Sequence, residues 1–460
     1  MRSVFMLSQK QSFIKGAILI SLGGFISKLL GAIYRIPLTN FLGGEGMGIY
    51  QMVYPLYCIL LTVSASGIPT GIARLISSGK AGAERQAFRL YGMIGIIGTI
   101  VMYFLSAPLA ALQTEPAIKA CCIMLCPSVF FVSVLSVVRG YFQGKGNMYP
   151  TAVTEVTEQV VKVALGCVLA YTFRENLALA VASTLFSVTV SEVAATALAL
   201  IWYFKRRTRL PLFKVSAPPL SAIVKYTIPL TLTAIALPVS QLLESIVAVR
   251  FLRAFSGEAT ALYGIFSGCA VTIINLPVSV TYGLAAASVP QISPLAEAGD
   301  TEGAKNKAYK ALLITFAISA PAAVALYIFA PFAINLIFSS LEEGNKALLL
   351  QLVRIMSVNA VTLSLVQTSS ACLTSLGCPI KSTVTQWVTA ILRVILTAVL
   401  IKFTALSITG AAISANCSYL VAALINFWYI IKERPKGRGQ INEDNADRIG
   451  QLKRRLNEEG

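Results

Sequence analysis

Gly24, Lys28, Gly31 and Arg35 fall at i, i+4, i+7 and i+11 in an otherwise apolar stretch, the spacing of one helical face. A charge at bilayer depth costs at least about 2.5 kcal/mol, so this stripe must face protein or a water-filled cavity rather than lipid. A cavity lined by Lys and Arg is built to receive an anion. A second stripe, Thr151, Glu155, Glu158 and Lys162, repeats the 4-3-4 spacing. Glu158 and Lys162 stand at i, i+4 in the order that favours an ion pair. Lys162 is about 12 residues, ~18 Å along a helix, from the start of its apolar block, which is roughly mid-bilayer. The pair reads either as a clamp that fixes packing or as part of an ionisable cavity wall.

The elements that position these residues are membrane helices. Of 460 residues, 56% are hydrophobic and 13% charged, the composition of a polytopic membrane protein. Twelve apolar blocks are long enough to span ~30 Å of hydrocarbon: 14–34, 49–73, 90–112, 117–138, 150–173, 178–204, 222–249, 261–288, 309–337, 348–376, 380–401 and 408–431. The first is too long for a cleavable leader and contains Lys28. A Gly-rich turn (Gly43, Gly44, Gly46, Gly48) joins it to the second. The expected fold is all-α, with twelve helices in two six-helix lobes.

Several kinds of chemistry are excluded by what is scarce. There is no His, and Asp300, Asp444 and Asp447 all lie outside the spans, which argues against a metal site and against the usual general bases of an enzyme. Nine Cys (58, 121, 122, 126, 167, 269, 372, 378 and 417) lie in or beside apolar blocks without a C-x-x-C pair and read as buried thiols. No cofactor is called for.

The net charge of +18 sorts by topology. With the N-terminus inside, 27 of the 38 Lys and Arg fall in inside segments and seven outside (Arg35, Lys119, Arg174, Arg250, Arg253, Lys346 and Lys402). Both termini are therefore expected in the cytoplasm, and the basic excess is assigned to anionic lipid headgroups. No nucleic acid partner is indicated.

The basic, Pro-containing stretch Lys205–Lys225 divides the spans six and six. Residues 1–205 and 222–431 are expected as the lobes, 206–221 as the linker and 432–460 as a charged tail. The halves resemble each other. A shift of 213 carries Gly44, Glu45 and Tyr50 onto Gly257, Glu258 and Tyr263, and a shift of 231 carries Gly146, Glu155, Glu158 and Lys162 onto Gly377, Gln386, Thr389 and Arg393. A parallel repeat of this kind places substrate between the lobes. Arg393 has no acid three or four residues away. Gly31, Pro229 and Pro238 are the expected hinge positions of the first and seventh spans.

The segments SKLLGAIYRIPL, NFLGGEGMGIYQMVYP, ASGIPTGIARLIS and VVRGYFQGKGNMYPTAVTEVTEQVVKV resemble stage V sporulation protein B and MurJ-type lipid II flippases. These belong to the multidrug/oligosaccharidyl-lipid/polysaccharide (MOP) exporter superfamily. The resemblance implies two lobes in a V that open alternately to each face of the bacterial cytoplasmic membrane and move a lipid-linked oligosaccharide. It also implies a cationic cavity for the diphosphate, to which Lys28 and Arg35 match. MurJ-type proteins carry two further C-terminal spans associated with the lipid tail, whereas twelve are read here.

Residue chemistry favours the same substrate. Lys28, Arg35, Lys162, Arg250, Arg354 and Arg393 are candidate substrate-binding cations, against four acids, Glu155, Glu158, Glu192 and Glu244. The acids are candidates for tuning the cavity or coupling transport to H+, Na+ or the membrane potential. A multidrug exporter of organic cations would instead want acids and aromatics in its cavity; it is the alternative reading. A third is a non-transporting scaffold for cell-wall synthesis enzymes.

Overall fold

The computed structural model describes the backbone of residues 2–65, 67–77, 83–206, 228, 231–404 and 406–432, and their side chains from Gly23 onward except Phe25, Lys28, Ala83 and Arg206. The expected linker at 207–221, Pro229 and the tail beyond Lys432 lie outside the described residues, as does the Lys28 side chain.

Within the described residues the chain is helical throughout. Thirteen α-helices follow in order: α1 (Arg2–Ala65), α2 (Ile68–Ser77), α3 (Ala83–Leu112), α4 (Ala117–Gly144), α5 (Tyr149–Thr172), α6 (Leu177–Arg206), α7 (Ala236–Leu252), α8 (Ala259–Gly264), α9 (Val271–Glu297), α10 (Thr301–Ile337), α11 (Glu343–Ser375), α12 (Pro379–Phe403) and α13 (Thr409–Lys432). A π-helical turn, Ile265–Ala270, joins α8 to α9. Among the described residues ten helical stretches are long and apolar enough to cross a membrane. One of them, Leu29–Ser77, runs from within the kinked α1 through α2, and α5, charged on one face, covers the expected fifth span.

The expected Gly-rich turn between the first two spans is replaced by a single break. Gly43 is the one non-helical residue inside α1, at φ 65° and ψ −172°, a region open to a residue without a β-carbon. Gly31 stays helical, so the bend expected there is found 12 residues later. Pro238 sits in the first turn of α7, just past a turn residue at Ile235, where a missing N–H is tolerated.

The repeat is visible in local geometry. Gly146 and Gly377 both have positive φ, 76° and 84°. Each ends its helix with the same paired bonds: Gly146 N to Gln143 O with Asn147 N to Phe142 O, and Gly377 N to Thr374 O with Cys378 N to Leu373 O. This is a Schellman-type stop. Each is followed by a helix that starts with Pro in its first turn, α5 and α12.

Helices α2–α6 pack on one another and on α1, and α7–α13 form a second packed set. α1 makes the main contacts between them, reaching α7, α8, the π-turn and α9. The seam is built on small residues: β-carbons added at Gly48 or Gly264 would overlap Thr260 and Gly44 backbone atoms. Polar bonds surround it. Asn40 Nδ2 donates to Ile337 O (2.8 Å), Gln51 Nε2 to Ser267 O (3.2 Å) and Arg253 to Thr114 O (2.7 Å). All of these lie at the end of the bundle where α3, α7 and α10 terminate, so the halves are pinned there.

Candidate functional site

Two contiguous cavities lie between and beside the halves. The smaller, of about 370 Å³, is walled by α1 (Ser27, Gly31, Arg35, Tyr50, Tyr54), α5 (Gln159, Lys162), α9 (Thr272, Ser279) and Gln367 of α11. The larger, of about 1700 Å³, follows the π-turn and α9 from Ser267 to Glu297 and is closed by α7, α11, α12 and α13. Asn275, Tyr282 and Gln367 line both.

The small cavity brings together Arg35 and Lys162, which are 127 residues apart in sequence. Lys162 is buried, and among the described residues neither it nor Arg35 has a carboxylate within 4 Å. Arg35 Nη1 donates to Thr272 Oγ1 at 3.4 Å. Two cations in a protein-walled cavity with no paired acid are an electrostatic debt that an anion settles. A guanidinium fork beside an ammonium point charge suits phosphate oxygens in particular.

The expected Glu158–Lys162 pair is not made. Glu158 turns to the neighbouring helix, where Arg139 Nη2 lies 3.4 Å from Oε2 while Arg139 Nε donates to Thr154 (3.0 Å). Residues spaced i, i+4 share one side of a helix, but two helices flank that side, and Glu158 faces α4 while Lys162 faces α1. Among the described residues neither Glu155 nor Glu192 comes within 4 Å of Arg35 or Lys162. Glu155 Oε2 is buried without a partner among the described residues, beside Gly24. Glu192 is 2% exposed and receives the Tyr57 hydroxyl at 3.4 Å.

Arg393 has no acid three or four residues away on its own helix, but α7 supplies one. Its Nη2 lies 2.8 Å from Glu244 Oε2 and its Nε donates to Oε1 at 2.9 Å, a two-pronged buried bridge. Nη1 donates to the Tyr419 hydroxyl at 2.8 Å. The pair lines the large cavity as a neutral unit.

Arg250 and Arg354 depart from expectation more plainly, since neither lines a cavity. Arg250 is exposed at the last turn of α7. Arg354 is exposed on α11, with its guanidinium 5.5 Å from the exposed Tyr327 ring. The depth of a charge can be read from sequence position, but its direction depends on which helices neighbour it. Sequence reasoning also passed over the amides of the large cavity: Gln241, Asn275, Asn359, Gln367 and Gln386. The available signal was Asn359 and Gln367 on one face of the long apolar α11, with Leu363, Val366 and Ser370.

The polysaccharide biosynthesis protein family model matches residues 13–296, and the MatE model matches residues 258–399. Stage V sporulation protein B of Bacillus subtilis (strain 168) is 27% identical over 351 residues, covering 72% of this chain and 68% of that protein. Lipid II flippase MurJ of the same organism is 21% identical over 450 residues, covering 90% and 81%. Among solved structures, the inward-facing conformation of a multidrug resistance MATE family transporter of the MOP superfamily superposes with a TM-score of 0.74 at 20% identity, over 90% of this chain and 97% of that one. The outward-facing conformation of such a transporter gives 0.65 at 20% identity, over 91% and 94%. These likenesses establish the transporter fold, and the family match over more than half of its length makes this chain a member of the polysaccharide biosynthesis protein family, in the polysaccharide-transporter branch of the MOP superfamily: a multi-pass membrane transporter and not an enzyme.

Proposed function

We propose that the protein is a flippase for a lipid-linked oligosaccharide, an undecaprenyl-diphosphate-linked wall or polysaccharide precursor, in the bacterial cytoplasmic membrane. The observation that carries this reading is the small cavity, in which Arg35 and Lys162 converge without an acid. A diphosphate crossing hydrocarbon needs such a pair to replace its hydration. The name of one Bacillus subtilis relative, lipid II flippase MurJ, supports the substrate class.

Transport proceeds by alternating access. The halves meet at the Gly48–Gly264 seam, and the large cavity runs away from it to Glu297 at the far end of α9. With basic loops inside, this arrangement has its seam outside and its cavity open to the cytoplasm. The higher TM-score to the inward-facing transporter, 0.74 against 0.65, agrees. Glu192, buried, and Glu155, half-buried, lie outside the small cavity's lining and are the acids available for coupling to H+ or Na+. Exporters of organic cations need an uncompensated acid in the cavity, and the cavity-lining Glu244 is instead neutralised by Arg393.

The test is reconstitution of the purified chain in liposomes containing a fluorescent undecaprenyl-diphosphate oligosaccharide, with an impermeant quencher reporting which leaflet holds it. Wild type moves the lipid and Lys162→Met, at equal abundance, moves it roughly ten- to a hundredfold more slowly. Flipping at the wild-type rate in both Lys162→Met and Arg35→Gln removes the reading, and a wild type that is folded but idle favours the scaffold.

A further inference from the structure

We infer that the large cavity is a chamber for the uncharged sugar portion of the substrate and reads it through neutral amides; this rests on the flippase reading above. The cavity's volume, about 1700 Å³, exceeds the ~300–1,000 Å³ of a drug-sized site, so a substituent of several rings fits. Its charges cancel where they are buried, because Arg393 and Glu244 neutralise each other. Glu297 lies at the exposed far rim. An anion therefore finds no free cation here, unlike in the small cavity next door.

Among the polar groups that remain, beside hydroxyls such as Ser240 and Thr389, are amides contributed by four helices: Gln241 from α7, Asn275 from α9, Asn359 and Gln367 from α11, and Gln386 from α12. An amide offers both donors and acceptors, which matches a hydroxyl or an acetamido group that does the same. Two of them are held ready. Asn359 is 1% exposed; its Oδ1 receives the Thr362 hydroxyl at 3.4 Å, while its Nδ2 has no partner among the described residues. Gln367 Oε1 is likewise buried and unpartnered. Buried donors and acceptors left unmatched are costly, so a hydrocarbon tail in this chamber would leave that penalty standing, whereas a sugar removes it. The apolar wall between the amides, including Val271, Ile274 and Leu363, suits the C–H faces of pyranose rings.

Position completes the assignment. Asn275, Tyr282 and Gln367 line both cavities. A diphosphate held at Arg35 and Lys162 thus directs its sugar across this shared wall into the chamber.

The experiment is calorimetric titration of the purified full chain with three probes: farnesyl diphosphate, the same diphosphate bearing N-acetylglucosamine, and the same diphosphate bearing glucuronic acid. Wild type is expected to bind the N-acetylglucosamine probe at least tenfold tighter than farnesyl diphosphate, and the glucuronic acid probe no tighter than farnesyl diphosphate. Asn359→Leu erases most of that tenfold gain and leaves farnesyl diphosphate affinity within twofold of wild type, which also shows that the variant is folded. Should Asn359→Leu fail to bind farnesyl diphosphate, Gln241→Leu, on the half-buried wall, carries the same test. Arg35→Gln weakens all three probes together. A wild type in which the neutral sugar adds nothing, or a gain that survives both leucine variants, overturns the chamber and leaves the flippase reading intact. A wild type that binds no diphosphate at all overturns both.

Discussion

Lys162 and Arg393 occupy corresponding places in the two halves of the molecule and have opposite fates. Each follows a left-handed glycine and lies in a helix that begins with proline, and the two are 231 residues apart. Arg393 is clamped by Glu244, whereas Lys162 faces the small cavity with no acid within 4 Å among the described residues. The helix opposite each cation accounts for the difference. The shift of 213 that relates the first and seventh spans carries Gly31 onto Glu244. Gly31 lines the small cavity beside Lys162, and α1 packs on α5 as α7 packs on α12. Where the second half supplies a carboxylate, the first supplies nothing. The absent acid leaves a cation free for substrate, and the present one turns a cation into structure.

The comparison breaks most visibly on stability. Arg393→Met strands Glu244 in a site only 2% exposed, and removing one partner of a buried ion pair costs about 3–5 kcal/mol. Membrane abundance and thermal midpoint should fall sharply, and Glu244→Gln in the same chain should restore most of both. Lys162→Met should lower neither. Equal losses from the two single variants would mean that both cations are structural.

Transport should show the reverse order. A hydrogen bond to a charged group is worth about 1.5–3 kcal/mol, so Lys162→Met should slow flipping by roughly ten- to a hundredfold in protein of normal abundance. Arg393→Met combined with Glu244→Gln should retain most of its flipping rate. Gly31→Glu sharpens the point, because it writes the second half's carboxylate into the first. A β-carbon there meets Gln159 Oε1 at 3.5 Å, ordinary contact, so the new side chain has room to enter. The expected outcome is a folded protein that flips about as poorly as Lys162→Met. A fully active Gly31→Glu would mean that Lys162 does not hold the anion.

How much of this was legible in the sequence follows from what each feature depends on. The all-helical membrane fold and the convergence of Arg35 and Lys162 rest on hydropathy and helical spacing, which are local. The partners of the charges are not local. Arg139 reaches Glu158 from α4 and Glu244 reaches Arg393 across 149 residues, so an i, i+4 rule named the wrong partner for one and none for the other. Arg250 and Arg354 failed for a related reason: charge density in a span does not say which side of the helix is covered. The amide chamber was missed because Asn and Gln in a helix carry no depth penalty large enough to attract notice, and only their convergence from four helices gives them meaning.

The smallest expected effect concerns the seam rather than the cavities, and it separates two kinds of closure. At the pinned end, Arg253 donates to Thr114 O and lies 3.6 Å from Glu115 Oε2, with the two side chains 30% and 18% exposed. Such half-exposed pairs contribute up to about 1 kcal/mol, so Arg253→Ala should raise the fraction of molecules with the seam open by no more than about fivefold. Gly48→Ala acts on backbone contact instead, because its β-carbon overlaps Thr260, and no rotamer relieves that. Spin labels at Glu45 and Glu258, exposed positions on either side of the seam, in a chain whose native cysteines are replaced, would report both by pulsed dipolar distance measurement. The expected distributions are a minor long-distance population in Arg253→Ala and a dominant one in Gly48→Ala. If Arg253→Ala opened the seam as far as Gly48→Ala, the polar latch rather than glycine packing would hold the halves together. Closure could then be tuned by charge alone, without repacking the helices.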